Sequence, residues 1–210
     1  MMEKFKNIKV NLIVIVILVL IAGLMEVVVY SHFHELRESP IVLSNFLRIY
    51  PIYNKNGSWI HGRLGIGYIR WLLIFENVII LLMLFFLYRF MKAYGRFFHM
   101  SILWLHLIDF AYAATIYRIV THARGTFTLD YLDFGKYIFD FPDLYLYTLI
   151  LGVQIWLIPA LIKYYSYRNA KVKGLSFIKK QIWDFKISGM FFKAAVIPES
   201  RWEAEFKLWR

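Results

Sequence analysis

The chain has 210 residues, 60% of them hydrophobic and 20% aromatic, with no cysteine and a formal net charge of +11. With a mean hydropathy of +0.53, this composition excludes an ordinary soluble domain and describes a small integral membrane protein. The missing cysteine excludes thiol catalysis, disulfides and Cys-based metal sites, and the positive charge is explained by where the basic residues fall, so no nucleic-acid partner is expected.

Residues 11–30, NLIVIVILVLIAGLMEVVVY, are apolar apart from Asn11 and Glu26 and are long enough to cross a ~30 Å hydrocarbon core. Lys4, Lys6 and Lys9 precede them, and no small-residue cleavage site follows, so the run is read as a retained first helix and not as a cleaved signal peptide. Further spans are predicted at about 71–88, 98–119 and 144–162, each rich in Leu, Ile and aromatics. The expected fold class is an all-α integral membrane protein, a four-transmembrane-helix bundle with a small extracytoplasmic β-rich region. Four spans put both termini on one side, and 17 of the 25 basic residues fall there. The positive-inside tendency makes that side cytoplasmic, and the protein is expected to be multi-pass with both termini cytoplasmic.

The first outer segment, residues 32–70, contains SNFLRIYPIY followed by the turn-forming NKNGS, which favours a short extended or hairpin piece over a helix. Its HGRLGIG lacks the preceding parallel strand and following Lys-Ser/Thr pair of a phosphate loop. Residues 111–150 lead from one apolar helix at Arg118, past Asp130, Asp133, Asp140 and Asp143, into another at Leu144. Carboxylates crowded beside hydrocarbon are costly without water, a partner or a proton, so this outward-facing cluster is the candidate functional site. Residues 163–210 form a basic tail whose Lys and Arg alternate with Phe, Trp and Ile, as in an amphipathic segment on an anionic inner leaflet or a docking element for a partner complex.

Other polar groups compete with that cluster as candidate sites. His99 and His106 are seven apart on the predicted third span, but haem ligation needs axial histidines on facing helices at equal depth, and no partner for His106 is evident. The i,i+2 pair His32 and His34 suits an interfacial position better than a metal. Glu76, Asn77, His106 and Asp109 lie within predicted spans and are expected to hydrogen-bond across helices as structural glue. No metal or other cofactor is expected.

The order of the parts resembles signal peptidase II, the lipoprotein signal peptidase. Glu26 stands near the outer end of the first helix, where that family has an acidic residue. NKNGSWIHG, residues 54–62, is similar to a degraded Asn-x-Gly-Ala-Ala-Phe-Gly motif, and RWLLIFENVIILLMLFFLYR looks like the family's second helix. The family's Gly-Asn-x-x-Asp-Arg falls on Ala113, Ala114, Thr115, Ile116, Tyr117 and Arg118, with Gly125 and TLDYLDF following. Its Phe-Asn-x-Ala-Asp falls on FDFPD, residues 139–143.

The resemblance covers roughly residues 12–162 and implies a membrane aspartyl protease fold over 1–162, followed by the tail at 163–210. It also implies that the catalytic dyad is incomplete. Asp143 occupies one dyad position, but Tyr117 replaces the second Asp, and a phenol with a pKa near ~10 cannot replace a carboxylate base at neutral pH. Asp140 is a possible substitute, although i,i+3 carboxylates at a helix entrance commonly cap it. Asn54, Asn56, Gly57 and Arg118 are the implied substrate-binding residues. The expected function is therefore a catalytically inactive relative that holds a lipoprotein signal helix, or a partner's transmembrane helix, in its groove. The alternatives are an active lipoprotein signal peptidase with a rearranged dyad, and a structural or redox subunit of a larger membrane complex. Membrane lipids and a transmembrane or signal helix of another protein are the expected partners.

Overall fold

The structure, a computed structural model, describes residues 2–55, 59–101, 103–125, 128–135 and 137–209. The described elements are α1 (Met2–Ser31), α2 (Phe33–Glu38), β1 (Ile41–Ser44), β2 (Leu47–Asn54), α3 (Trp59–Leu64), α4 (Arg70–Phe97), a 3-10 turn (Leu103–His106), α5 (Leu107–Arg124), β3 (Thr128–Asp133), β4 (Ile138–Phe139), α6 (Phe141–Val172), α7 (Phe177–Val196) and α8 (Glu199–Trp209). They form two compact units, one of residues Met1–Leu81 and Asp109–Leu149, the other of Leu82–Ile108 and Ile150–Arg210.

Three described helices are long and apolar enough to cross a membrane: Asn11–Ser31 within α1, α4 and α6. Their side chains match a hydrocarbon solvent, since Leu12, Leu20, Leu24 and Val27 of α1 and Phe75, Leu82 and Met83 of α4 are all exposed. The third predicted span, 98–119, is not one continuous helix. Instead α4 runs on to Phe97, nine residues past the predicted end at Tyr88. It closes with His99 in the left-handed region at φ 52°, while the Met100 and His99 amides donate to the carbonyls of Gly95 and Arg96. This is the hydrogen-bond pattern of a Schellman cap. Helix resumes fully only at Leu107, and its 18 residues include Asp109, Arg118 and Arg124. His99 and His106 consequently sit on two different elements and share no helix face.

The extended piece expected around SNFLRIYPIY is an antiparallel hairpin, with Ser44 opposite Leu47. β2 also pairs with β3, and β3 with β4, giving a four-stranded antiparallel sheet in the order β1-β2-β3-β4. Strand β2 carries Pro51, which has no N–H to give the ladder, and the β2–β3 register shifts between Ile49 and Ile52. Past the shift, Ile52 stands opposite Asp130 and Asn54 opposite Thr128. β3 alternates apolar and polar only over Leu129, Asp130 and Tyr131, and Leu132 and Asp133 after them are both buried. Leu129 and Tyr131 are buried in a cluster with Val29 of α1 and with Phe33 and Leu36 of α2.

In the second unit the tail is folded. α7 and α8 bury Ile187, Met190, Phe191, Ala194, Trp202 and Phe206 with Tyr94, Phe97 and Phe98 of the α4 end and Ala160 of α6. Ion pairs tie the same parts together, from Arg168 to Asp184, from Lys92 to Glu199, and from Arg96 to both Glu199 and Glu203.

Candidate functional site

A cavity of about 1020 Å³ lies within the first unit, lined among others by Asn54, Glu76, Arg118, Asp130, Asp140 and Asp143. Three elements bring its carboxylates together. Asp130 comes from β3, Asp140 is the residue before α6, and Asp143 lies in the first turn of α6. One carboxylate oxygen from each lies within 4.8 Å of the others.

The Asp140 and Asp143 pair caps α6 reciprocally. The Asp143 amide donates to Asp140 Oδ1 at 2.7 Å, and the Asp140 amide reaches Asp143 Oδ2 at 3.5 Å. This is the geometry of a capping box, built here from two aspartates at i and i+3, and it turns both carboxylates toward the end of the helix. Arg118, on α5, donates to Asp143 Oδ1 in an ion pair. Asn54, at the end of β2, donates from Nδ2 to Asp130 Oδ2 at 3.1 Å. The resemblance implies substrate binding for both residues; in the structure they hold two of the three carboxylates in place.

Burial pushes Asp130 up to about 7, with the negative charge of Asp143 adding to the shift and Arg118 and Asn54 opposing it. Asp140 is held well above the usual carboxylate range, again first by burial and then by the charge of Asp143. Like charges a few ångströms apart in a dry site cannot all ionise, so such a cluster retains a proton at neutral pH. Chemically, the three oxygens can share that proton or hold a hard cation. The Arg118 guanidinium already compensates one carboxylate, which favours the proton.

Tyr117 is not among the residues lining the cavity. Its ring is buried with Ala22, Ala113, Ala114 and Tyr145, and a Cβ added at Gly23 would sit 3.7 Å from its Cε2. β3 supplies Asp130 beside Asp143, while Tyr117 packs with Ala22 of α1 and Tyr145 of α6. Small residues at Ala22 and Gly23 make room there for the aromatic ring. Asp109 is buried in the first turn of α5 and does not line the cavity. Asp133 is buried elsewhere, paired with Arg48 and accepting from the Gly135 amide at 2.7 Å. Asn56 and Gly57 lie outside the described residues.

Sequence reasoning placed Asp130 outside the reacting pair. The signal that could have found it is the alternation in TLDYLD, which puts Asp130 out of phase with the apolar Leu129 and Tyr131. The partner of Glu76, which lines the cavity, was also missed. His61 of α3, fully buried, contacts Glu76 Oε1 through Nε2 at 2.9 Å and the Gly67 carbonyl through Nδ1 at 3.1 Å. Glu76 was expected to bond across spans, and the partner seen here is α3; Asn77 donates to Leu73 of its own helix at 2.8 Å.

The fold is similar to that of bacterial membrane enzymes. One solved bacterial membrane enzyme structure, determined by the in meso method at 2.3 Å resolution, matches with a TM-score of 0.50 and 17% identity over 80% of this chain and 94% of that one. A second, by the same method at 1.9 Å, matches with a TM-score of 0.51 and 18% identity over 73% of this chain and 94% of that one. At these identities the likeness is one of fold. No family model matches the sequence, and no curated protein matches it.

Proposed function

We propose that this chain is a signal-peptidase-II-like membrane protein, with α5 as the third of four spans, and that it acts as an aspartic endopeptidase with a rebuilt carboxylate site. The observation that carries this reading is the convergence of Asp130, Asp140 and Asp143 in one cavity. The motif order described above and the likeness to bacterial membrane enzymes support it. The substrate is the signal helix of a lipoprotein, whose scissile peptide enters the cavity from the membrane. Asp130, at about 7, takes a proton from water as the water oxygen bonds to the scissile carbonyl carbon. Asp140, protonated, gives its proton to the carbonyl oxygen. In the collapse of the resulting diol one hydroxyl returns its proton to Asp140 as the C=O forms and the C–N bond breaks, while the leaving nitrogen takes the proton that Asp130 had accepted from water. Asp143 and Arg118 set the position of this pair.

A second reading, an inactive protein that holds the helix uncut, is favoured by one observation: the family's second Asp is replaced by Tyr117, and Tyr117 packs in an apolar cluster. The two readings are separated by incubating purified protein with a diacylglyceryl-modified lipoprotein signal peptide. Wild type should cleave it, with turnover falling about 10²–10⁴-fold in Asp130→Asn and Asp140→Asn, the range for loss of a general acid or base. Peptide retained by wild type without cleavage would sink the endopeptidase and establish the holder. In either case Tyr117→Asp should gain no activity, because the new carboxylate would stand among Ala22, Ala114 and Tyr145.

A further inference from the structure

α7 has two apolar faces, and its own protein covers one of them. Ile187, Met190, Phe191 and Ala194 are buried against the α4 end and α6. On the opposite side, Ile178, Ile182, Phe185, Phe192 and Val196 are exposed, Phe185 by 81%. At 100° per residue these five fall within one stripe. A folded monomer in water would not present such a face.

Charge and position identify what covers it. The turn before α7 exposes Lys173, and Lys179 and Lys186, seven apart and both exposed, run along the margin of the stripe. The only acid in α7, Asp184, is turned the other way, where Arg168 and Tyr164 of α6 hold it. The α7 residues on the uncovered side are therefore apolar and cationic, and one further lysine at its margin, Lys193, is paired with Glu205 of α8. α7 also packs at the level of Tyr94 and Ala160, where the apolar runs of α4 and α6 give way to Arg89, Lys92, Lys163 and Arg168. That is the level of lipid headgroups for helices whose apolar stretches cross a bilayer. The longest uncharged run in α7 is only six residues, 187–192, so it lies on the membrane and does not cross it.

We infer that the exposed face of α7 is a docking surface for an anionic lipid surface, the apolar stripe entering the acyl boundary while Lys173, Lys179 and Lys186 meet the headgroups. The inference rests on the membrane placement of α4 and α6 and is independent of the chemistry at the carboxylate cavity.

The chain has no cysteine, so a single Phe185→Cys substitution gives one labelling site at an exposed position. The full-length protein, labelled there with a fluorophore, is placed in nanodiscs of phosphatidylcholine with or without phosphatidylglycerol, and quenching by doxyl-labelled lipid is measured. Strong quenching is expected in the anionic discs. The ratio of docked to undocked α7 should fall roughly fivefold for each Lys→Gln change among the three, about a hundredfold for all of them, and should fall likewise in neutral discs or high salt. These lysines are exposed, so their replacement leaves the packed face intact. A label unquenched in every lipid would overturn the inference and leave the face to water or a protein partner. Quenching indifferent to lipid charge and to the lysines would overturn its anionic character.

Discussion

The two compact units bury different chemistry. All eight buried polar or charged residues among those described, from His61 and Asn77 to Asp133 and Asp140, belong to the first unit. The second unit buries an aromatic and aliphatic cluster around Phe191 and keeps its charges in ion pairs at the rim. Buried polar groups raise the energy of a fold unless each is satisfied, so the first unit is organised around a site, whereas the second is organised around packing. The same residue type serves opposite ends: Asp130 and Asp140 are raised by burial, while Asp184, hydrogen-bonded by Arg168 and Tyr164, is held below the usual carboxylate range.

The largest effect that would test this contrast lies in the second unit. Phe191→Ala removes a ring in contact with Phe90, Tyr94, Phe97, Phe98 and Phe206 and should cost about 3–5 kcal/mol in equilibrium unfolding in detergent. It should leave the pH dependence of the first unit as it was. A shift in that dependence would mean that the two regions are not separable.

Next in size is a pH effect in the first unit. Asp130 binds its proton more tightly folded, at about 7, than unfolded, at about 3.9. Between those values the native state holds the extra proton, so stability is highest below the unfolded value and declines as pH rises through about 7. The shift corresponds to a few kcal/mol, on the order of 1.4 per unit. Asp130→Asn should flatten that part of the decline and make the variant more stable than wild type above pH 7, with the residual slope due to Asp140. Thermal unfolding from pH 4 to pH 8 would check it; an unchanged slope in the variant would remove Asp130 from the cluster.

The smallest effect concerns the rim. Arg96 meets Glu199 and Glu203 at 40% exposure, and Arg96→Ala should cost no more than about 1 kcal/mol, with the difference shrinking in high salt. A cost near that of Phe191→Ala would show that charge, and not aromatic packing, holds the tail to α4.

Apolar length in residues 11–30 and in α4 and α6 was enough to place membrane helices, because hydrocarbon solvation acts on each segment alone. The extended character of SNFLRIYPIY was legible for a similar reason, in its loose alternation, but the turn that closes the hairpin lies between Ser44 and Leu47 and not at NKNGS. The third span was harder to read: a left-handed cap at His99 and charges at Asp109 and Arg118 divide an apolar stretch that composition alone makes continuous. Motif order pointed to Asp143 and Asp140, since both lie in one helical entrance whose capping is a local matter. Only tertiary structure could bring Asp130 to them, because that depends on β3 pairing with β2, which lies some 75 residues earlier in the chain. It also directed Tyr117 toward the small residues of α1 and away from the cavity. Composition established that the tail was basic and aromatic; which of its faces packs against α4 and α6, and which is left for lipid, was decided by long-range contacts that no local pattern encodes.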